Sequence, residues 1–81
     1  MQILIGNLPP GTSSDDVRTL LTEQGVPGIG EIVIEEGPER TGALVKLDLG
    51  DTAIATVCKQ LNGHHWNGRD LTANHTNFSW E

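Results

Sequence analysis

The chain has 81 residues, of which 36% are hydrophobic and 20% charged, with 11 acidic residues against 5 basic ones and a net charge of −6. That length allows one small domain with a thin core, and the hydrophobic share is too high for a wholly disordered chain. The negative field opposes tight, nonspecific attraction of a polyanion, which is normally driven by basic patches that release counterions, but it leaves room for a local site.

Cys58 is the only cysteine, so an internal disulfide is excluded. No signal-peptide pattern and no run of 18 apolar residues occurs, so the expected setting is cytoplasmic, or nuclear in a eukaryote, with no membrane association.

Residues 2–8 read as a strand, with Ile3 and Ile5 on one side and Leu4 on the other. Pro9-Pro10-Gly11 ends it, because proline cannot donate to a ladder and glycine accommodates the turn. Ser13 followed by Asp16 is a helix-start signal, and Asp15 and Asp16 complement the positive end of the helix dipole. Val17, Leu20 and Leu21 then form one apolar stripe, and Gly25 is the expected stop.

Residues 29–36 read as a second strand with Ile32 and Ile34 facing inward. Gly37-Pro38-Glu39 is a tight turn into a third strand over 40–47, where Ala43, Val45 and Leu47 face in and Arg40, Gly42, Leu44 and Lys46 face out. A register set by that turn places Glu35 opposite Arg40, and Lys46 near residues 29–31. Asp51 is the expected cap of a second helix whose buried face carries Ile54, Val57, Cys58 and Leu61. Gly63 closes it. Asn67-Gly68 is a strong hairpin signal because both residues tolerate positive φ. A last strand covers residues 71–76. The domain therefore spans 1–76, with 77–81 as a C-terminal tail.

The order β-α-β-β-α-β implies an α+β, ferredoxin-like fold with two helices on one face of an antiparallel sheet. Three stretches in that order carry a further resemblance. Arg40-Thr41-Gly42-Ala43-Leu44-Val45-Lys46-Leu47 resembles the eight-residue signature of the RNA-recognition motif (RRM). Ile3-Leu4-Ile5-Gly6-Asn7-Leu8-Pro9 resembles that family's shorter signature, and Leu61-Asn62-Gly63-His64-His65-Trp66-Asn67-Gly68-Arg69-Asp70-Leu71 resembles its run before the last strand. The resemblance covers nearly the whole chain and implies a four-stranded sheet in the order 4-1-3-2, with the two signature strands in the middle.

It also implies single-stranded RNA, or single-stranded DNA, bound on the open face, where RRMs stack bases on aromatic side chains. Here those positions hold Leu4, Gly42 and Leu44. Base–aromatic stacking contributes roughly 1–3 kcal/mol per base, so the losses amount to several kcal/mol. The candidate RNA-binding residues are Leu4, Arg40, Gly42, Leu44, Lys46, Thr72, Asn74, Phe78 and Trp80. Arg40 resembles the family's phosphate-contacting residue; its bland alternative is an ion pair with Glu35. Thr72 and Asn74 should face outward on the last strand. Phe78 and Trp80 have three competing uses: covering the apolar strip Leu4/Val33/Leu44, replacing the missing stacking platforms, or belonging to a disordered terminus.

A second reading makes the domain a protein-interaction module, or a self-associating one, using that strip or the acidic first helix. Trp66 is expected in the core at the sheet edge and Cys58 as a core thiol. Neither the three histidines nor the Asp15/Asp16 pair has the spacing of a metal or catalytic site. The chain carries no enzyme signature, no cofactor motif and no small-molecule substrate motif.

Overall fold

A computed structural model of the chain describes residues 2–38 and 41–76. Its elements are β1 (Gln2–Leu8), α1 (Ser14–Glu23), β2 (Ile29–Glu36), β3 (Thr41–Leu47), α2 (Asp51–Leu61), the two-residue strands β4 (His65–Trp66) and β5 (Arg69–Asp70), and β6 (Thr72–Thr76). The main sheet runs β2-β3-β1-β6, antiparallel throughout. This is the expected order, with β6 as the fourth main strand.

The helix boundaries follow from their caps. The Ser13 hydroxyl accepts from the Asp16 backbone N–H, and the Asp16 carboxylate accepts from the Ser13 N–H, both at 3.1 Å. This reciprocal box satisfies two donors that a helix start leaves unpaired. At the other end Gly25 takes φ 77°, and Val26 N–H reaches back to the Leu21 carbonyl at 2.9 Å. That turn requires a left-handed residue, which glycine supplies without strain. α2 differs from expectation by one residue. Its cap is Gly50, without a side-chain bond, and Asp51 is the first helical residue. There its carboxylate serves the helix dipole rather than the orphan N–H groups.

The helices cover one face. Ile3, Ile5 and Leu8 of β1, Val17, Leu20 and Leu21 of α1, Ala43, Val45 and Leu47 of β3, and Ile54, Val57 and Leu61 of α2 form a single buried cluster with Leu71 and Ala73. Ile32, Ile34, Cys58 and Trp66 pack against it while partly exposed. Burying an aliphatic side chain stabilises by roughly 1.5–3 kcal/mol, so this layer holds the fold. Burial pushes the Cys58 thiol above its ordinary range.

The turn between β2 and β3 is longer than expected. The closing pair is Glu36↔Thr41, which leaves residues 37–40 between the strands. Glu35 consequently lies opposite Gly42, not Arg40. The shift is by two residues, so the side-chain period of two keeps every inward residue inward. Arg40 itself lies outside the described residues, as do Phe78, Trp80 and the whole 77–81 tail.

The segment after α2 forms its own ribbon. β4 pairs with β5, His65↔Asp70 and Trp66↔Arg69, around Asn67 (φ 49°) and Gly68 (φ 83°). Two consecutive positive φ values match the right-handed twist of a two-residue hairpin. His65 Nδ1 lies 2.9 Å from an Asp70 carboxylate oxygen, both side chains being exposed. The last strand begins at Thr72 rather than Leu71, whose N–H instead reaches the His64 carbonyl at 2.9 Å.

Candidate nucleic-acid interface

The face of the sheet away from the helices is uncovered by either helix, and the pairing registers divide it into three crosswise rows. The first holds Glu35, Gly42, Gly6 and Thr72. The second holds Val33, Leu44, Leu4 and Asn74. The third holds Lys46, Gln2 and Thr76, with Gly30 and Glu31 beside Lys46. Each row combines residues from all four strands, so the arrangement exists only once the sheet is assembled.

The middle row is the apolar one. Leu4 is 42% exposed and is the only large hydrophobic side chain so exposed among the described residues. Leu44, expected to share an exposed strip with it, is only 4% exposed and stands outside the main core cluster. Its direction agrees with expectation and its accessibility does not. Directly opposed side chains on adjacent strands stand about 4.5–5.5 Å apart at Cβ, so Leu4 and Val33 flank it on both sides. The strip therefore shrinks to Leu4 with a half-buried Val33. Asn74, opposite Leu4, and Thr72, opposite Gly6, are exposed as expected.

In the third row β2 bulges. Between Ile29↔Leu47 and Ile32↔Val45, two residues, Gly30 and Glu31, face the single Lys46. A bulge bends its strand and re-aims its side chains. The Gly30 carbonyl accepts from Arg18 of α1 at 3.0 Å, which ties the bulge to the helix layer. Lys46 is half-buried.

The first row is built around two glycines. A Cβ on Gly6 would lie 2.6 Å from the Thr72 hydroxyl oxygen, and one on Gly42 would lie 3.4 Å from the Ile5 carbonyl oxygen. Small residues here leave a depression of about 490 Å³ lined by Leu4, Ile5, Gly6, Asn7, Gly42 and Thr72. A larger one of about 900 Å³ adjoins it through Asn7 and Gly42, and is walled by Glu35, Glu36, Gly37, Pro38 and Arg69.

Asn7 and Arg69 lie in two of the motif stretches without being candidate binding residues, and the fold brings them together. Asn7 takes φ 61°, a left-handed conformation that asparagine tolerates better than most residues. Its amide donates to the Asp70 carbonyl at 2.9 Å, and its amide oxygen accepts from Arg69 Nη1 at 3.3 Å. One side chain thus fastens the end of β1 to the β4–β5 ribbon, 63 residues away in sequence. The hint available in the sequence was an asparagine between Gly6 and Leu8, two residues before the Pro9-Pro10 pair.

Among the described residues there is no cluster of three or more potential metal ligands, and no helix is long and apolar enough to cross a membrane.

An antiparallel four-stranded sheet with two helices on one face, its other face unoccupied by either, defines an α+β sandwich of the split βαβ class. Comparison of structures narrows the class. The chain is similar to Pes4 RRM3 at TM-score 0.78 and 23% identity, over 99% of this chain and 95% of that one. It is similar to the Rna15 RRM with bound RNA (GU) at TM-score 0.74 and 16% identity, over 95% and 83%. It is also similar to the MEC-8 C-terminal RRM domain bound to AGCACA at TM-score 0.73 and 17% identity, over 99% and 94%. The chain has the fold of the RNA-recognition motif. No protein-family model and no curated protein sequence matches it.

Proposed function

We propose that the domain binds single-stranded nucleic acid, RNA in the first instance, on the open sheet face. The carrying observation is that face itself: a recognition-motif sheet whose helix-free side carries Leu4, Gly42, Lys46, Thr72 and Asn74 in register across the strands. Two of the similar structures are RNA complexes, which supports the reading.

Affinity on such a face is modest. The aromatic platforms are replaced, and the cations of the third-strand segment are only Arg40 and Lys46. Two phosphate contacts on a single strand give a salt slope of about −1.4, hence roughly a sevenfold loss of affinity between 50 and 200 mM salt. Arg40, Phe78 and Trp80 remain part of the proposed site on the sequence resemblance alone.

The protein-interaction reading is the less favoured one, because one of the two surfaces it invoked, the apolar strip, is reduced to Leu4 with a half-buried Val33. The test is a titration of isotope-labelled protein with a random pool of short single-stranded RNA at low and moderate salt, followed by amide shifts. Shifts at Leu4, Gly42, Lys46 and Asn74 that weaken with salt are expected. Silence at these positions with near-millimolar RNA at low salt would sink the proposal.

A further inference from the structure

The larger depression at the first row has walls of opposite chemistry. On one side stand Glu35 and Glu36, the last two residues of β2. Glu35, opposite Gly42, turns its carboxylate to the open face, while Glu36, opposite the inward Thr41, lines the rim with its side chain on the other side of the strand. Neither glutamate has a hydrogen-bond or ion-pair partner among the described residues. On the other side stands Arg69, whose guanidinium gives one N–H to Asn7 and has others to give. Gly42 lies between, and its lack of a side chain keeps the floor low. The volume, about 900 Å³, falls in the ~300–1,000 Å³ range of small-ligand sites.

A phosphate is a poor occupant, because the Glu35 carboxylate stands across the depression from the guanidinium. A neutral planar group with hydrogen-bond donors toward Glu35 and acceptors toward Arg69 suits both walls. Among the nucleobases guanine alone combines such edges. Its N1–H and N2 amino group are adjacent donors that match the two oxygens of a carboxylate, and its O6 and N7 are adjacent acceptors that match an arginine fork. Adenine offers an amino group beside an acceptor on each edge. Cytosine offers one amino group beside acceptors, and uracil a single N–H between two carbonyls.

We propose that the depression between Glu35/Glu36 and Arg69 is a base pocket selective for guanine. This rests on the reading of the open face as a nucleic-acid surface and adds the specificity of one subsite to it. The acidic wall, unfavourable for general RNA affinity, then acts as a reader: it rejects bases that present a lone pair where a donor is needed. A site built to accept hydrogen bonds discriminates strongly, because the wrong base leaves its groups unpaired.

The experiment measures fluorescence anisotropy of the full chain with labelled heptauridylates whose central nucleotide is uridine, adenosine, guanosine, inosine or 7-deazaguanosine. Guanosine should bind roughly 10- to 100-fold tighter than adenosine. Inosine, which lacks the N2 amino group, and 7-deazaguanosine, which lacks the N7 acceptor, should each fall between them. The double variant Glu35→Gln/Glu36→Gln removes the charged acceptors on the rim without touching the core. It should lower the guanosine-to-adenosine ratio severalfold, leaving the part that Arg69 supplies, with the thermal midpoint unchanged. Because the ratio is read, any general gain from lost repulsion cancels. Equal binding of guanosine and adenosine by the native chain, or a ratio undiminished in the double variant, overturns the pocket while leaving open-face binding intact. Failure of every oligonucleotide to bind overturns both.

Discussion

Ala43, Val45 and Leu47 alternate along β3 with Gly42, Leu44 and Lys46, so one strand displays two surfaces made under different constraints. The first set is at most 2% exposed and meets both helices' stripes in one cluster. The second keeps one lysine, one leucine sheltered by its neighbours, and one glycine. On the helix side each position needs volume and apolarity, which the three retain. On the open side the positions need chemistry, and here the rings that would stack bases are absent. The fold can persist on the first set alone, while binding depends on what the second set, and the groups at its border, still offer.

The largest effect that separates the two surfaces is thermodynamic. Leu47→Ala should destabilise by about 2–5 kcal/mol, since it opens a cavity in a layer that cannot collapse around it. Leu4→Ala, on the other face of the same sheet, removes a side chain already 42% in water and should cost less than about 1 kcal/mol. Urea denaturation of the two variants reads this directly. Equal losses would mean that the open face is as structural as the core, and the distinction would fail.

The next effect concerns binding. Leu4→Tyr restores one flat platform at the most accessible point of the middle row. Stacking of one base contributes about 1–3 kcal/mol, so RNA affinity should rise by roughly 10- to 100-fold, measured by anisotropy with the same heptauridylates. Leu44→Phe is the poorer half of this pair of changes, because Leu44 is buried and a larger ring there overpacks, at a cost of about 1–3 kcal/mol in stability. A Leu4→Tyr variant with unchanged affinity would show that bound RNA does not cross the middle row.

The helix side was legible because its signals are local. Ser13 and Asp16 are three residues apart, Val17, Leu20 and Leu21 lie within two turns, and Asn67-Gly68 declares its own turn. Even the misjudged register of β2 against β3 preserved the faces, because an error of two residues returns each side chain to the same side. The open side was less legible because alternation gives direction and not cover. Leu44 was correctly turned outward, yet its shelter comes from Leu4 and Val33, 40 and 11 residues away. The pocket was less legible still. Glu35 reaches Gly42 only through the longer turn, and Asn7 meets Arg69 only after β1 and the ribbon after α2 come together. No spacing within the chain announces contacts of that range.

The smallest effect tests whether the open face is itself packed to a tolerance. Gly6 lies on the first row beside Thr72 of the edge strand β6, and an added Cβ would stand 2.6 Å from the threonine oxygen. Thr72 is β-branched, so moving its hydroxyl clear takes a change of χ1 rotamer rather than a small swing. Against the clash, Gly6→Ala restricts the unfolded chain, which favours folding by about 0.5–1 kcal/mol. Overpacking at about 1–3 kcal/mol is the larger of the two, so the net change should be a loss of about 1 kcal/mol. In a Thr72→Ala background the clash vanishes and only the favourable term remains, so Gly6→Ala should become neutral or slightly stabilising. A double-mutant cycle on the two positions should therefore give a coupling of about 1 kcal/mol or more. No coupling would mean that β6 moves aside at no cost, and that the glycine floor beside Asn7 reflects the needs of a ligand rather than the needs of the sheet.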